Sequence, residues 1–209
     1  MDVWIVIETY LGHTYEQYNF DIQNDWLIID IGAGLGEFSI TAARKCPNVV
    51  VYAYEPFKES FELMQENILL NHALNVTAYP CAVAGSPGSM QLKTGAGVPV
   101  LYSTAMDDGH TGKHDAIVQA TTLDRIFETL HIEKCDLMKI DCEGAEYEIL
   151  FHTSPSTLQR IERICLEYHN GITKYTLLDL ISFLESNDFS VIAKPSPVHS
   201  HTGLLFASK

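Results

Sequence analysis

The stretch Ile28-Ile29-Asp30-Ile31-Gly32-Ala33-Gly34-Leu35-Gly36-Glu37-Phe38 decides the fold. The apolar run Leu27 to Ile29 reads as a buried parallel strand. Gly32, Gly34 and Gly36 follow as a turn that a Cβ would obstruct, and a helix carrying Phe38, Ile40, Ala42 and Ala43 begins directly after it. Glycine admits positive φ and lets a ligand approach bare main chain. The first N–H groups of the following helix have no intrahelical partner and are available to that ligand. A second apolar strand, Val49 to Tyr54, ends in Glu55-Pro56.

The spacing narrows the ligand. A dinucleotide fold uses G-x-G-x-x-G, whose amides hold a pyrophosphate. This chain has G-x-G-x-G preceded by the acid Asp30, which suits a cationic cofactor without phosphate. S-adenosylmethionine fits that description. Glu55 at the end of the second strand can accept two hydrogen bonds from a ribose diol; capping the helix that starts near Pro56 is compatible with the same position. Cys81 and Ala82, after a third strand over Asn75 to Tyr79, are placed to line the adenine, or simply to pack at the strand end.

The chain has 209 residues, enough for one domain with one sizeable core. The formal net charge of -14 argues against nucleic acid and anionic membrane as partners, because both require a basic surface. The five cysteines are scattered, form no C-x-x-C, and read as free thiols of a reducing compartment. No basic-then-apolar leader and no bilayer-length apolar run is apparent, so the expected location is cytoplasmic.

Residues 1–209 read as a single domain, with 1–25 as an N-terminal cap segment and 85–114 as an inserted hairpin or loop. Strands and helices alternate from residue 26 onward, and Phe189 to Ala193 with Leu204 to Ala207 make a terminal antiparallel pair. The expected architecture is an α/β, doubly wound, Rossmann-like sheet of seven mostly parallel strands, helices on both faces, and an antiparallel C-terminal strand pair. Ligands of such sheets sit beyond the carboxyl ends of the strands, where strand order reverses.

Two further groups carry chemistry. Lys139-Ile140-Asp141-Cys142-Glu143-Gly144-Ala145-Glu146 ends a central strand over Cys135 to Ile140, and Glu167-Tyr168-His169-Asn170 ends the next, over Ile161 to Glu167. If the strands are neighbours, Asp141, Glu143, Glu167 and His169 converge on one rim facing the glycine turn. His169 is the first candidate for a general base, since imidazole titrates near neutral pH; a solvated residue after a strand is its structural alternative. Asp141 is the second, as base or as the group orienting acceptor or cofactor; N-capping the helix after Gly144 is its structural alternative. The same four residues offer ligands for a divalent cation; solvated acids and ion pairs explain them as well, and no metal is expected. Lys139, in an apolar strand, requires a partner, and Glu167 or Asp141 is the expected one.

These pieces resemble the FkbM-type methyltransferases, within the class I S-adenosylmethionine-dependent fold. The matching segments are the Asp30–Gly36 turn, Glu55-Pro56, Thr122-Leu123-Asp124, Lys139 to Glu146, Glu148-Ile149-Leu150 and Glu167-Tyr168-His169, of which K-I-D-C-E-G-A-E is the most specific. The resemblance implies O-methylation of a hydroxyl on a small molecule, sugar, glycolipid or polyketide. Asp30, Gly32, Gly34, Gly36, Glu55, Pro56, Cys81, Ala82 and Asp141 would then hold S-adenosylmethionine. Asp141 and His169 would serve catalysis, with Lys139, Glu143 and Glu167 on the substrate rim. The segment before Asp30 is short, and no separate substrate domain is expected.

Two other functions fit the sequence less well. A nicotinamide-dependent oxidoreductase is disfavoured by the glycine spacing and by the absence of a Tyr-x-x-x-Lys pair at Tyr168. A non-catalytic cofactor-binding or interaction module is disfavoured by the acid-rich rim. Less specific features are Gly109-His110-Thr111-Gly112-Lys113-His114, which lacks the upstream spacing of a phosphate loop, and His199 and His201 in a turn. Ser103 and Thr104 read as substrate contacts or as strand-end polar residues, and Tyr15 and Tyr18 as a lid or as ordinary packing.

Overall fold

The computed structural model describes residues 18, 20–95, 98–100, 116–197 and 201–209. In chain order the strands are β1 (Leu27–Ile31), β2 (Val50–Tyr54), β3 (Val76–Tyr79), β4 (Ala82–Val83), β5 (Gly88–Gly95), β6 (Val98–Val100), β7 (Ala116–Thr121), β8 (Leu137–Ile140), β9 (Arg163–His169), β10 (Ser190–Pro195) and β11 (Thr202–Ser208). The helices are α1 (Glu37–Lys45), α2 (Lys58–Leu70), α3 (Leu123–Thr129), α4 (Glu146–Phe151), α5 (Pro155–Leu158) and α6 (Leu177–Ser186).

The main sheet has seven strands in the order β10-β11-β9-β8-β1-β2-β3. The ladders from β9 to β3 are parallel, and β11 runs antiparallel to both β9 and β10. Chain order runs one way through β1, β2 and β3 and the other way through β8 and β9, so the switch point lies between β1 and β8. Such a switch point opens a crevice at the strand ends. The residues that end those two strands are the Asp30 turn and Asp141.

The sheet is buried on both faces, which is why its strands read as apolar runs. Ile29, Ile31, Met138, Ile140 and Leu166 join one core with Phe127, Tyr147, Leu150 and Leu180. Ile28, Leu137, Cys165 and Val51 join the other with Phe38, Ala42, Met64 and Ile68 of α1 and α2. Side chains alternate faces along a strand. Asp30 and Lys139 therefore lie on the α1 side, and they are direct register partners across β1 and β8.

The segment read as an inserted hairpin or loop contributes strands to a second sheet. β5 and β6 form an antiparallel hairpin, but β5 also pairs along β7, and β4 pairs parallel with β7. A second, four-stranded sheet in the order β4-β7-β5-β6 results. The pairing of β7 with β5 is set by contacts distant in sequence, which local pattern does not reveal. Residues 101–115, with Ser103, Thr104 and the Gly109–His114 run, lie outside the described residues, as do Tyr15 and His199.

Candidate functional site

Gly32, Gly34 and Gly36 all take positive φ, at 74°, 56° and 88°. Gly32 shows why side chains are excluded: a Cβ there would lie 1.8 Å from the Asp141 carbonyl oxygen. The turn is thus wedged against the chain leaving β8. It is pinned from the other side, since the N–H groups of Gly32 and Ala33 both donate to the Tyr54 carbonyl at 3.0 Å. No side chain caps α1, whose N-cap is Gly36 itself.

Glu55 is buried and its two oxygens are divided between two backbone donors. Gly34 N–H donates to Oε2 at 2.9 Å and Phe57 N–H to Oε1 at 2.9 Å. Phe57 is the N-cap of α2, so Glu55 serves the helix start and the glycine turn at once. Each oxygen retains a lone pair, enough to receive a diol. Burial pushes the Glu55 carboxyl up to about 7, against the two N–H bonds, which lower it.

Asp30 is fully buried and engaged by the protein. Ser39 Oγ donates to its Oδ2 at 2.7 Å, and Lys139 Nζ lies 3.2 Å from its Oδ1. Lys139 also donates to the Gly32 carbonyl at 2.8 Å and approaches Asp141 Oδ2 at 3.7 Å. The expected partner of Lys139 was Glu167 or Asp141; Asp141 is present, and Asp30, its register partner, is closer. Burial alone would lower the Lys139 pKa, but the charges of Asp30 and Asp141 and the bond to Asp30 raise it above the ordinary lysine value. This lysine is a fixed cation that ties the glycine turn to both acids.

On the β8 side, the expected convergence is present. Ligand atoms of Asp141, Glu167 and His169 lie within 4.8 Å of one another. Glu143 stands outside that group but faces His169 Nε2 at 3.4 Å. Asp141 does not cap α4: the N-cap is Ala145, with no side-chain bond. His169 Nδ1 lies 2.9 Å from Glu146 Oε1. Both ring nitrogens therefore face carboxylates. Burial lowers the His169 pKa, yet the bond to Glu146 and the charges of Glu146, Glu143 and Glu167 carry it up to about 9.

Two site residues were missed by the sequence reading. Ser39 sits nine residues after Asp30, one turn into α1, a spacing that a helix after the glycine turn predicts. Glu146 lies within the Lys139–Glu146 motif, and its position three residues after Glu143 is its only local signal. Cys81, half-buried, donates through Sγ to the Ala82 and Gln119 carbonyls at 3.3 Å, and Ala82 is buried at the start of the second sheet. Tyr18 packs edge-on against Phe206 with centroids 5.2 Å apart, a packing contact on β11. All five cysteines are free, and burial pushes the Cys142 thiol well up, as an inert thiol requires.

The methyltransferase FkbM domain matches residues 30–191. The chain belongs to the FkbM methyltransferase family. It is thereby an S-adenosylmethionine-dependent methyltransferase, and the oxidoreductase and non-catalytic readings are set aside. Methyltransferase sdnD of Sordaria araneosa is 26% identical over 192 residues, covering 78% of this chain and 73% of its own. The 31-O-demethyl-FK506 methyltransferase FkbM of Streptomyces tacrolimicus is 21% identical over 222 residues, covering 93% of this chain and 84% of its own. The crystal structure of methyltransferase FkbM from Methylobacillus flagellatus KT superposes with a TM-score of 0.64 at 14% identity, covering 93% of this chain and 47% of that one, a likeness of fold. Among the described residues, no helix is long and apolar enough to cross a membrane.

Proposed function

We propose that the β1/β8 crevice binds S-adenosylmethionine and that the protein transfers its methyl group to a hydroxyl of a small acceptor. The observation carrying this reading is one juxtaposition. The wedged glycine turn with Glu55 lies on one side of the switch point, and Asp141, Glu167 and His169 gather on the other. The residues fit the cofactor: Gly32 leaves bare main chain where a Cβ cannot go, and Glu55 keeps acceptor capacity on both oxygens. Gly32, Gly34, Gly36, Glu55, Pro56, Cys81 and Ala82 form the adenosine side, with Asp141 toward the methionine side. Asp30 acts behind the turn, through Ser39 and Lys139.

When bound, the cofactor supplies an electrophilic methyl on a sulfonium. The chain must align an acceptor oxygen with that methyl and remove the hydroxyl proton. Asp141, partly exposed, orients the acceptor. His169 takes the proton at Nε2, the ring atom not held by Glu146. Lys139, Glu143 and Glu167 shape the rim.

An uncharged or cationic hydroxylated acceptor suits the net charge of -14, which disfavours nucleic acid and anionic membrane. The relative named as a 31-O-demethyl-FK506 methyltransferase supports an oxygen acceptor on a small molecule. Free cysteines support a cytoplasmic setting.

The test is thermal unfolding with S-adenosylmethionine, S-adenosylhomocysteine and NAD. A ligand at a hundredfold excess over its Kd stabilises by about 2.7 kcal/mol. Stabilisation by the two adenosyl ligands and not by NAD is expected, followed by methyl transfer to polyketide, sugar or glycolipid hydroxyls in an acceptor screen. No stabilisation by either adenosyl ligand overturns the proposed site.

A further inference from the structure

Glu146 is fully buried; its Oε1 receives Cys142 N–H at 3.3 Å and Gly144 N–H at 3.1 Å and lies 2.9 Å from His169 Nδ1. The two backbone bonds fix the carboxylate from the same loop that carries Asp141 and Glu143. Its Oε2 is buried and finds no hydrogen bond among the described residues. A buried carboxylate with one idle oxygen is a cost that packing does not explain. His169 is buried, whereas Glu143, its other partner, is 42% exposed and holds a positive φ of 51° in the loop.

We infer that Glu146 is a positioning residue for His169, taking the Nδ1–H so that Nε2 alone is presented to the acceptor, with Glu143 as a partner that the acceptor displaces. The inference rests on the proposed site and deepens it. Second-partner control of this kind is how a histidine tautomer is set in general: the bond at one nitrogen decides what the other can do. The asymmetry of the two acids assigns their parts. Glu146 is immobilised by two N–H bonds and excluded from solvent; Glu143 is solvated and contacts Nε2 at the longer distance. On acceptor binding, the hydroxyl hydrogen-bonds to a deprotonated Nε2, and during transfer its proton passes to that nitrogen while Nδ1–H stays on Glu146.

Every charged neighbour of the ring bears on its titration. Glu146 lies on α4, Glu143 in the preceding loop, Asp141 at the end of β8 and Glu167 on the same strand. From β11, Thr202 is the register partner of His169, and the His201 carbonyl accepts Asn170 N–H at 2.7 Å.

Histidine side-chain NMR on the whole chain, labelled with ¹⁵N and assigned with His169→Gln, tests this. His169 is expected to titrate well above an ordinary histidine and, once neutral, to carry its proton on Nδ1. Glu146→Gln is expected to lower the midpoint by about one pH unit or more, and Glu143→Gln by less. Titration of wild-type His169 near pH 6.5, or a neutral form protonated at Nε2, overturns the inference even if Glu146→Gln does not fold. So does an unchanged midpoint in a folded Glu146→Gln protein. Stabilisation by S-adenosylhomocysteine, measured in parallel on the wild type, separates the two failures: its loss removes the proposed cofactor site, not the His169–Glu146 pair.

Discussion

Lys139 Nζ lies 3.2 Å from Asp30 Oδ1, and both side chains are almost completely removed from water. The pair joins the two strands at the switch point, and Lys139 simultaneously binds the Gly32 carbonyl. Removing one member leaves a buried charge uncompensated, which costs about 3–5 kcal/mol. Lys139→Met is therefore expected to lower unfolding free energy by that order in urea titration. Adding Asp30→Asn to it should recover part of the loss; a double variant no more stable than the single would count against the charge argument.

The contact between Gly32 and Asp141 predicts a sharper local effect. In Gly32→Ala the new methyl meets the Asp141 carbonyl at a backbone φ of 74° that alanine disfavours. The turn must shift or the chain after β8 must yield. Stability is expected to fall by more than about 1 kcal/mol, and stabilisation by S-adenosylhomocysteine to be lost in the same melts.

Glu55 gives a pH dependence of binding. Burial holds its carboxyl up at about 7, and the ionised form is the one that accepts ribose hydroxyls on both oxygens. Affinity for S-adenosylhomocysteine should rise from pH 6 to pH 8, about these bounds by linkage, in isothermal calorimetry. Glu55→Gln should flatten that rise and weaken binding roughly tenfold or more. For folding, the raised value means the folded chain holds this proton more tightly than the unfolded chain. Its stabilising contribution is full below 4.5 and is lost as pH rises through about 7.

His169 acts on stability in a higher window. Its folded value of about 9 exceeds the ordinary 6.5, so the paired imidazolium stabilises fully below 6.5 and this is lost as pH rises through 9. Tm should decline across that window, and less steeply in Glu146→Gln. Turnover with an acceptor should rise over the same range, because only the deprotonated ring accepts the hydroxyl proton. A rate falling from pH 7 to 9, about the window set by linkage, would remove His169 as the base.

Much of the architecture was legible because parallel strands buried on both faces are continuous apolar runs. Leu27–Ile31, Val50–Tyr54 and Leu137–Ile140 announce themselves in this way, and the acids that interrupt the pattern mark strand ends. Boundaries moved where the pattern is softer: β9 extends to His169, past the expected end at Glu167, because β11 pairs along its whole length. The second sheet was not legible, since β5 has no local signal that it will choose β7 as well as β6.

The sequence by itself determined the glycine turn, the acid that closes the second strand, the family motif, and the candidacy of Asp141 and His169. Each is a local matter of residue type and spacing. Only the tertiary structure decided who partners whom. It gave Lys139 to Asp30, because register partners on neighbouring strands point to one face; it gave both Glu55 oxygens to backbone donors; and it set His169 between Glu146 and Glu143. Those pairings join residues up to 109 positions apart, as with Lys139 and Asp30, whose proximity is created by the order of strands in the sheet.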